Sequence, residues 1–311
     1  MAFKKYTPTE MAEYKEHKQK EVKEYAAKIE NQFGIIANSE TALIEFMQGF
    51  KWLHQYSVRN CLLARAQLAG ATMLAPFTKW KQQGIKVKKG AKAIKIFAPI
   101  TVRKWADKDG TPVAWNDDKA DHVETEFTAF KLVPVFDISQ TDAGEDYGKA
   151  LAYKAPDFGG AELWDVLATI AGKHGYSVRL SHDIADTAAA HGLTKHGKKQ
   201  ITVSSHESPH ARVKILAHEI GHALMHRNLL VKNDYHERRG EYECEAESFA
   251  FMLLDYLGVD CSAISVPYLE YWSGRDGKQV EKAMSRVWKH MQAVVKELEP
   301  MQVQSEVALV A

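Results

Sequence analysis

The chain contains, at positions 213–226, the stretch Val213-Lys214-Ile215-Leu216-Ala217-His218-Glu219-Ile220-Gly221-His222-Ala223-Leu224-Met225-His226. The pattern is typical of a helix, and because His218 and His222 are four residues apart, both imidazoles lie on one face. Two neutral imidazole nitrogens at this spacing can bind one Zn²⁺, and Glu219 beside them can accept a proton from the metal-bound water. The stretch therefore predicts a zinc-dependent hydrolase with His218 and His222 as ligands and Glu219 as catalytic base.

A simpler interpretation of the same residues is a buried helix that happens to contain two histidines. Many positions around them are apolar, among them Ile215, Leu216 and Ile220. A His-Glu-His cluster buried in such a helix without a metal would carry a desolvation cost. That cost favours the metal site.

A second predicted helix, at about 241–254, offers four glutamates as the third metal ligand. On a helical wheel with about 100° per residue, the apolar residues centre near Ala246. Glu243 and Glu247 fall on the same side of that centre, with Glu243 nearer to it. Glu241 lies roughly opposite the centre, and Glu245 lies on the other flank. We therefore expect Glu243 to bind the metal and Glu247 to accept a hydrogen bond from a ligand histidine.

Other parts of a peptidase site are less defined by the sequence. Tyr235, His236 and Tyr268 are candidates for stabilising the oxyanion by residue type alone. Helix is predicted at 161–173, and short strands are predicted at 176–180 and 199–204. Because the second strand directly precedes the metal-site helix, its edge is a candidate for pairing with an extended peptide in the cleft.

Composition limits the class of protein. The 311 residues exceed one compact core of ordinary size, so two domains are expected, and the net charge is +1. The three cysteines, Cys61, Cys244 and Cys261, are widely spaced and form no Cys-x-x-Cys pair, which argues against a disulfide framework and a cysteine zinc site. No apolar run approaches the ~18 residues that span a bilayer, and the first residues do not resemble a signal segment. A cytoplasmic protein is therefore expected.

The first half has its own predicted elements. Helices are expected at about 7–32, 39–52 and 56–70, and the capping-box pattern Thr7-Pro8-Thr9-Glu10 opens the first. Strands are expected at 92–97 and at 127–138, and 141–160 has the composition of a linker.

A basic stretch from Lys79 to Lys104 is the main functional clue in the first half, because it contains nine basic residues and no acidic one. Aromatic residues interleave with it, which suits a surface where phosphates meet the charge and single-stranded bases stack on rings. The alternative is an exposed lysine-bearing hairpin with its aromatics in the core. Arg59 and Asn60 lie at the start of a predicted helix. They are candidates for contact with nucleic acid, and the alternative is that they cap the first turn of the helix. The nucleic-acid-binding candidates are Arg59, Asn60, Lys79, Trp80, Lys86, Lys88, Lys89, Lys92 and Lys95.

Two family resemblances cover most of the chain. The motif at 218–222 and the Glu-x-x-Ala-Glu-x-x-Ala pattern at 243–250 resemble the ImmA/IrrE-like zinc peptidases of the gluzincin type. Segments at 56–60, 78–80, 84–90 and 135–141 are similar to the N-terminal domain of the ArdC antirestriction family. The resemblance implies a single-stranded-DNA-binding domain joined to a zincin-like peptidase domain, carried by mobile elements to protect incoming DNA from restriction. The family pattern also implies that Glu243 is the third ligand.

These observations together predict an α+β protein with a DNA-binding domain at 1–145, a linker at 146–160 and a mainly helical metallopeptidase domain at 161–311. One Zn²⁺ per chain is expected, with single-stranded DNA and an unidentified protein substrate as partners. Two alternatives stay open. One is a non-catalytic DNA-binding protein with a structural metal site, and the other is an ImmA-like regulatory protease that cleaves a repressor.

Overall fold

The computed structural model describes residues 7–113, 117–144, 155–157, 162–183, 191–227, 235–261 and 276–302. The chain divides into two compact units, which are not consecutive in sequence. One unit comprises Met1–Ile29 and Leu63–Tyr147, and the other comprises Glu30–Leu62 and Gly148–Ala311. Both units combine helices with a sheet, which confirms the predicted α+β class. The predicted linker at 146–160 lies outside the described residues except for 155–157.

Helices α1 to α5 lie in the first 82 residues. They span Pro8–Asn38 (α1), Glu40–Gln48 (α2), Phe50–Leu53 (α3), Val58–Gln67 (α4) and Phe77–Gln82 (α5). The predicted capping box is confirmed, because the Thr7 amide donates to the Glu10 carboxylate at 2.8 Å and the Glu10 amide donates to Thr7 Oγ1 at 3.2 Å. Three predicted helices thus become four, and α5 lies in the basic stretch where no helix was expected.

Among the described residues, the first unit holds a four-stranded sheet in the order β1-β4-β2-β3. The strands are Leu74–Ala75 (β1), Ile94–Ala106 (β2), Pro112–Val113 (β3) and His122–Asp137 (β4). Strands β2 and β4 form a long antiparallel hairpin from Ile94↔Val135 to Ala106↔His122. The segments predicted at 92–97 and 127–138 are both strands, but β2 continues to Ala106 and β4 begins at His122.

The buried Asp137 at the end of β4 organises the base of this hairpin. Its carboxylate accepts hydrogen bonds from the amides of Thr72 and Met73, at 2.8 and 3.0 Å, and from the amide of Ser139 at 3.0 Å. A buried carboxylate is stable when several donors satisfy it. Asp137 therefore ties the chain before β1 to the turn after β4.

The described residues of the second unit form four further helices and a second sheet. The helices are Leu163–Lys173 (α6), Pro209–Met225 (α7), Tyr235–Tyr256 (α8) and Gly277–Leu298 (α9), and the strands are Ser177–Ser181 (β5), Gly192–Lys195 (β6) and Gln200–Ser204 (β7). In the described residues these strands lie in the order β5-β7-β6, with β5 parallel and β6 antiparallel to β7. Strand β7, predicted as a peptide-pairing edge, is therefore the central strand, and β6 is an edge.

The apolar helices at 30–62 belong to the second unit, whereas the sequence-based division assigned them to the first domain. The reason is packing. Phe50 lies edge-on to Trp288 with ring centroids 4.8 Å apart, and the Trp288 indole N–H donates to the Tyr56 carbonyl at 2.9 Å. Lys51 forms an ion pair with Asp255 at 2.9 Å. These contacts join segments more than 200 residues apart in sequence.

Helix α7 is the metal-site helix predicted from the sequence, and it begins as its residues require. The Ser208 hydroxyl accepts a hydrogen bond from the Ala211 backbone N–H at 3.2 Å. Pro209 occupies the first turn, where a backbone N–H would have no partner within the helix, so its missing N–H costs no hydrogen bond. Gly221 lies in its interior, and a methyl group there would meet Ala246 Cα at 3.0 Å. Gly221 thus allows α7 and α8 to approach closely.

Other expectations concern the whole chain. The three cysteines are buried and form no disulfide within the described residues. No helix in the described part of the chain is both long and apolar enough to cross a membrane.

Candidate metal centre

Helices α7 and α8 bring three potential metal ligands together. His218 Nε2 lies 3.0 Å from His222 Nε2, and Glu243 Oε2 lies 3.3 Å from the first nitrogen and 3.4 Å from the second. This is the one such group of His, Cys, Asp and Glu found among the described residues. The three atoms thus form a nearly equilateral triangle. They belong to the three residues that the sequence predicted as metal ligands.

The triangle has the dimensions of one face of a zinc coordination tetrahedron. A tetrahedral zinc with bonds of about 2.0–2.1 Å has ligand–ligand edges of about 3.3 Å. Two imidazole nitrogens and one carboxylate oxygen are also a donor set that divalent zinc accepts, with a fourth position left for water or substrate. The residues present therefore fit a divalent metal.

The His218 ring is oriented by Glu247. His218 Nδ1 lies 3.0 Å from Glu247 Oε2, so Nδ1–H donates to the carboxylate and Nε2 is left free for a metal. Burial opposes protonation of His218, but Glu243 and Glu247 outweigh it and raise its pKa to about 10. A metal ligand must be unprotonated at the donor nitrogen, so metal binding would release this proton. Glu247 has the position that the sequence predicted for it.

The His222 ring is oriented by a buried chain that the sequence analysis missed. His222 Nδ1 lies 2.9 Å from His226 Nδ1, and His226 Nε2 lies 3.0 Å from Glu245 Oε2. The Glu245 side chain is 0% exposed and is bonded at 2.8 Å to Arg286 of α9. Burial lowers the pKa of His226 to about 3, so it accepts the hydrogen bond of His222 as a neutral ring. The signal was present, since His226 continues the spacing of four residues from His222.

Glu241 and Glu245 show what the helical wheel predicted well and what it did not. Glu241 turns away from the metal group and pairs with Arg238 at 2.6 Å. Glu245, assigned to a flank of the apolar face, is fully buried, and burial raises its pKa to about 7 against the opposing effect of Arg286. The wheel could not include α9, which supplies the cation and covers this flank.

Glu219, the predicted catalytic base, is buried beside the metal group. Thr194 Oγ1 of β6 donates to Glu219 Oε2 at 2.6 Å. A methyl group on Gly192, two residues earlier, would lie 2.9 Å from Glu219 Oε1 and 2.5 Å from a methyl carbon of Ile215. Strand β6 therefore passes directly over the carboxylate, and only glycine allows that approach.

These residues line an open cleft of about 650 Å³. Its lining comes from β6, α7 and α8 and includes the charged residues Lys214, Arg239 and Glu207. His196, which follows β6, also lines the cleft and was not singled out in the sequence. The side chains of Tyr235 and His236, and the whole of Tyr268, lie outside the described residues.

The predicted nucleic-acid residues of the first unit divide into two groups. The exposed lysines are Lys79, Lys86, Lys88, Lys89 and Lys92. Lys95 instead contacts Glu21, and with Lys18 it holds the pKa of Glu21 at about 2. Trp80 is 2% exposed and donates its indole N–H to the Phe136 carbonyl at 3.0 Å. Trp80 is thus a core residue, and its ring is not accessible for stacking.

Other aromatic rings are accessible in that unit. Phe77 is 54% exposed and Phe130 is 62% exposed. Phe77 opens α5, just before the basic stretch, and Phe130 lies in β4. Arg59 and Asn60 belong to the second compact unit. Arg59 Nε lies 3.3 Å from the Glu281 carboxylate, and the Asn60 backbone N–H donates to Ser57 Oγ at 3.3 Å.

The fold and the site define a metallopeptidase-type centre on a His-Glu-x-x-His helix. Comparison with family models agrees: residues 171–254 match the Peptidase_M78 model, described as an IrrE N-terminal-like domain, and residues 35–136 match the N-terminal domain of anti-restriction factor ArdC. The chain therefore combines an ArdC N-terminal domain with an IrrE N-terminal-like domain, which confirms both resemblances found in the sequence.

Individual proteins are similar over much of the chain. An uncharacterized protein of Bacillus anthracis is 28% identical over 326 aligned residues, covering 91% of this chain and 51% of that protein. The chain thus spans about half the length of this curated relative. Crystal structures of the antirestriction protein ArdC from plasmid R388 align with TM-scores of 0.47 in the metal-free form, at 21% identity, and 0.44 in the Mn(II)-bound form, at 17% identity. Both cover 78% of this chain, and 83% and 87% of the respective ArdC chains.

Proposed function

We propose that this protein is a zinc-dependent endopeptidase that also binds single-stranded DNA, and that it serves a mobile element as an antirestriction-type protein. One observation carries the peptidase part. The triangle of His218, His222 and Glu243 lies in an open cleft together with the buried carboxylate of Glu219. Three protein ligands beside a base and a cleft are the requirements of metal-assisted hydrolysis.

The chain's own residues supply the acid–base part of this reaction. A zinc ion bound by the three ligands would supply Lewis acidity. Glu219 accepts the proton of the attacking water and later delivers it to the leaving amine. Thr194 holds one oxygen of that carboxylate at 2.6 Å and so fixes its direction. Glu247 and His226 fix the two ligand rings, each through Nδ1.

The edge of β6 is suited to an extended peptide. The Ser204 amide of β7 donates to the His191 carbonyl at 2.9 Å, just before β6 begins. Since backbone groups alternate along an antiparallel pair, those of Gly192 and Thr194 point away from β7. They lie beside Glu219 along the cleft. An added peptide strand would pair there and bring its carbonyl groups to the metal site.

A purely structural metal site is the main alternative. Structural zinc sites are closed by four protein ligands, whereas the described residues offer three in a cleft of about 650 Å³. The geometry therefore favours catalysis.

Two kinds of variant test the peptidase proposal. His218→Ala and His222→Ala should each lose stoichiometric zinc, because each removes one of three ligands. Glu219→Gln should keep the zinc and lose proteolysis, because the amide cannot accept the proton of the water. Metal analysis and a casein cleavage assay measure these effects. Undiminished cleavage by the glutamine variant would refute the mechanism.

The DNA-binding proposal rests on the first unit. Five of the candidate DNA-binding lysines are exposed, and Phe77 and Phe130 present rings to solvent. Lys86 and Lys88 are held in place by their backbones, since Lys86 N–H donates to Asp142 at 2.9 Å and Lys88 N–H to the Gln140 carbonyl at 2.9 Å. Exposed lysines on an anchored backbone, together with exposed rings in the same unit, suit a flexible single strand.

Salt dependence provides a sharp test of this surface. Changing Lys86, Lys88 and Lys89 together to Gln should flatten the slope of log K against log salt by about 2, at about 0.7 per phosphate contact on single strands. The matched control changes three exposed lysines of α1, Lys15, Lys20 and Lys23, and removes the same charge. Equal slopes for both triple variants would show that net charge alone is responsible.

The antirestriction role is proposed because residues 35–136 match the N-terminal domain of the anti-restriction factor ArdC. Its test is the survival of unmodified plasmid DNA entering a restricting host, with and without the protein. Protection that persists in Glu219→Gln but not in the Lys86/Lys88/Lys89 variant would assign it to DNA binding. Cleavage of one bacterial repressor, without protection of DNA, would instead support a regulatory protease.

A further inference from the structure

Peptide hydrolysis needs a hydrogen-bond donor for the carbonyl oxygen that becomes negative in the transition state. The donors around the cleft are mostly directed at carboxylates. Thr194 Oγ1 donates to Glu219, Lys214 Nζ lies 3.4 Å from Glu247, and Arg239 Nε lies 3.7 Å from Glu243. The ring N–H groups of the two ligand histidines are also engaged. Two further imidazoles line the cleft: His191, whose Nδ1 lies 2.5 Å from Glu207 Oε1, and His196.

His196 is anchored from behind by Tyr176. The Tyr176 hydroxyl lies 2.8 Å from His196 Nδ1, and the two rings meet edge to face at 85° with centroids 6.0 Å apart. Tyr176 is 3% exposed, whereas His196 is half-buried and lines the cleft with His218, Glu219 and His222. One nitrogen of the ring is thus directed at the protein interior, which leaves Nε2 for the cleft.

The protonation states give this contact a direction. Burial, with smaller contributions from His222 and His226, lowers the pKa of His196 to about 4, so the ring is neutral at neutral pH. Burial raises the pKa of Tyr176, so the phenol keeps its proton. Within the described residues, His196 Nδ1 is the partner of that hydroxyl. A buried O–H needs an acceptor, so Tyr176 donates to Nδ1 and the ring proton resides on Nε2.

We propose that His196 is a catalytic residue whose Nε2–H stabilises the oxyanion of the peptide substrate, and that Tyr176 is a positioning residue that fixes its tautomer. This inference rests on the proposed peptidase function and names a side-chain donor for the oxyanion among the described residues. A neutral donor held by a buried hydroxyl is preorganised, which is the property that makes such donors effective. It also explains why a tyrosine and a histidine 20 residues apart meet beside the metal group.

The tautomer can be measured without any catalytic assay. Long-range ¹H–¹⁵N correlation spectra of the zinc-loaded full chain, labelled in its 14 histidines, report which ring nitrogen carries the proton. The His196 signals are assigned by their loss in His196→Gln. We expect the Nε2–H form at pH 7, and a mixture of both tautomers in Tyr176→Phe. An Nδ1–H ring or an imidazolium in the wild type would overturn the proposal.

Kinetics test the catalytic role on the best-cleaved member of an internally quenched peptide library. His196→Ala should lower kcat by about 10²- to 10³-fold with unchanged zinc content and KM within a few-fold. His196→Gln retains an amide N–H donor and should recover at least about tenfold. The control is His206→Ala, since His206 is an exposed histidine outside the cleft.

The outcomes separate this inference from the function on which it rests. If wild type cleaves peptides, Glu219→Gln does not, and His196→Ala keeps its kcat, the oxyanion role is wrong and the peptidase proposal stands. If wild type cleaves no member of the library, the peptidase proposal fails and the catalytic role fails with it. A drop in kcat that Gln does not recover, with loss of zinc, would indicate a merely structural role.

Discussion

Gly221, between the two ligand histidines, is the position where a single methyl group tests the site geometry most directly. Gly221→Ala adds a methyl group that would lie 3.0 Å from Ala246 Cα, 3.2 Å from the Ala246 carbonyl oxygen and 3.3 Å from a ring carbon of Phe249. Two of these three atoms belong to the backbone of α8. The contact is therefore relieved only by moving one helix away from the other.

Two opposing contributions decide the size of the effect. Alanine is favoured over glycine inside a helix by up to about 1 kcal/mol. Overpacking a tight contact costs about 1–3 kcal/mol. Gly34 in α1 offers a matched control, because a methyl group there meets no atom within 4 Å. The difference in the free energy of unfolding between Gly34→Ala and Gly221→Ala isolates the overpacking contribution. We therefore expect Gly221→Ala to be less stable than Gly34→Ala by about 1–3 kcal/mol.

The same displacement reaches the metal ligands. Glu243 lies three residues before Ala246 on α8, and its carboxylate must stay 3.3–3.4 Å from the imidazole nitrogens of α7. A shift of a few tenths of an ångström between the helices lengthens these distances. We therefore expect weaker zinc binding in Gly221→Ala and unchanged binding in Gly34→Ala.

Urea unfolding and competition with a zinc chelator measure both effects on the two variants. Gly34→Ala should gain stability and Gly221→Ala should lose it. If Gly221→Ala is stabilised as much as Gly34→Ala and binds zinc equally well, the close approach of α7 and α8 does not limit the site and the reasoning is refuted.

Three further predictions follow from buried groups. Glu243→Ala should weaken zinc binding far more than Glu241→Ala, because Glu241 pairs with Arg238 away from the ligands; equal effects in a chelator titration would contradict the helix register. Arg286→Met should destabilise the protein by about 3–5 kcal/mol, because it leaves the fully buried Glu245 carboxylate without its cation, and adding Glu245→Gln should recover part of that loss in urea unfolding. Cys261, whose thiol pKa is raised to about 12 by burial, should resist alkylation in the native protein and react after unfolding; labelling of the native thiol would show an accessible site.

Most of the metal centre could be predicted from sequence because its ligands lie on two regular helices. A spacing of four residues fixes two imidazoles on one face of α7, whatever packs around it. The helical wheel likewise selected Glu243 and Glu247 over Glu241, because burial of an apolar face orients the whole helix. Local periodicity is enough where one helix supplies neighbouring ligands.

The remaining parts of the site depend on contacts between distant segments. Glu245 is buried because α9 brings Arg286 to it, and no periodicity within α8 indicates that partner. Strand β6 is four residues long, so its sequence gave no strand signal, yet it forms the edge over Glu219. Trp80 likewise resembled a stacking residue until its bond to the Phe136 carbonyl placed it in the core.

The sequence by itself therefore predicted the three residues that meet at the candidate metal centre, the neighbouring Glu219 and the two kinds of domain, because each pattern is formed by residues a few positions apart. Only the tertiary structure decided that Glu245 is covered by α9, that β6 borders the cleft and that the helices at 30–62 join the second unit. It also decided that His196 lines the cleft and contacts Tyr176. The physical reason is the same in each case. Helix periodicity is set by local backbone geometry, whereas burial and hydrogen-bond partners are set by segments that meet only after the chain has folded.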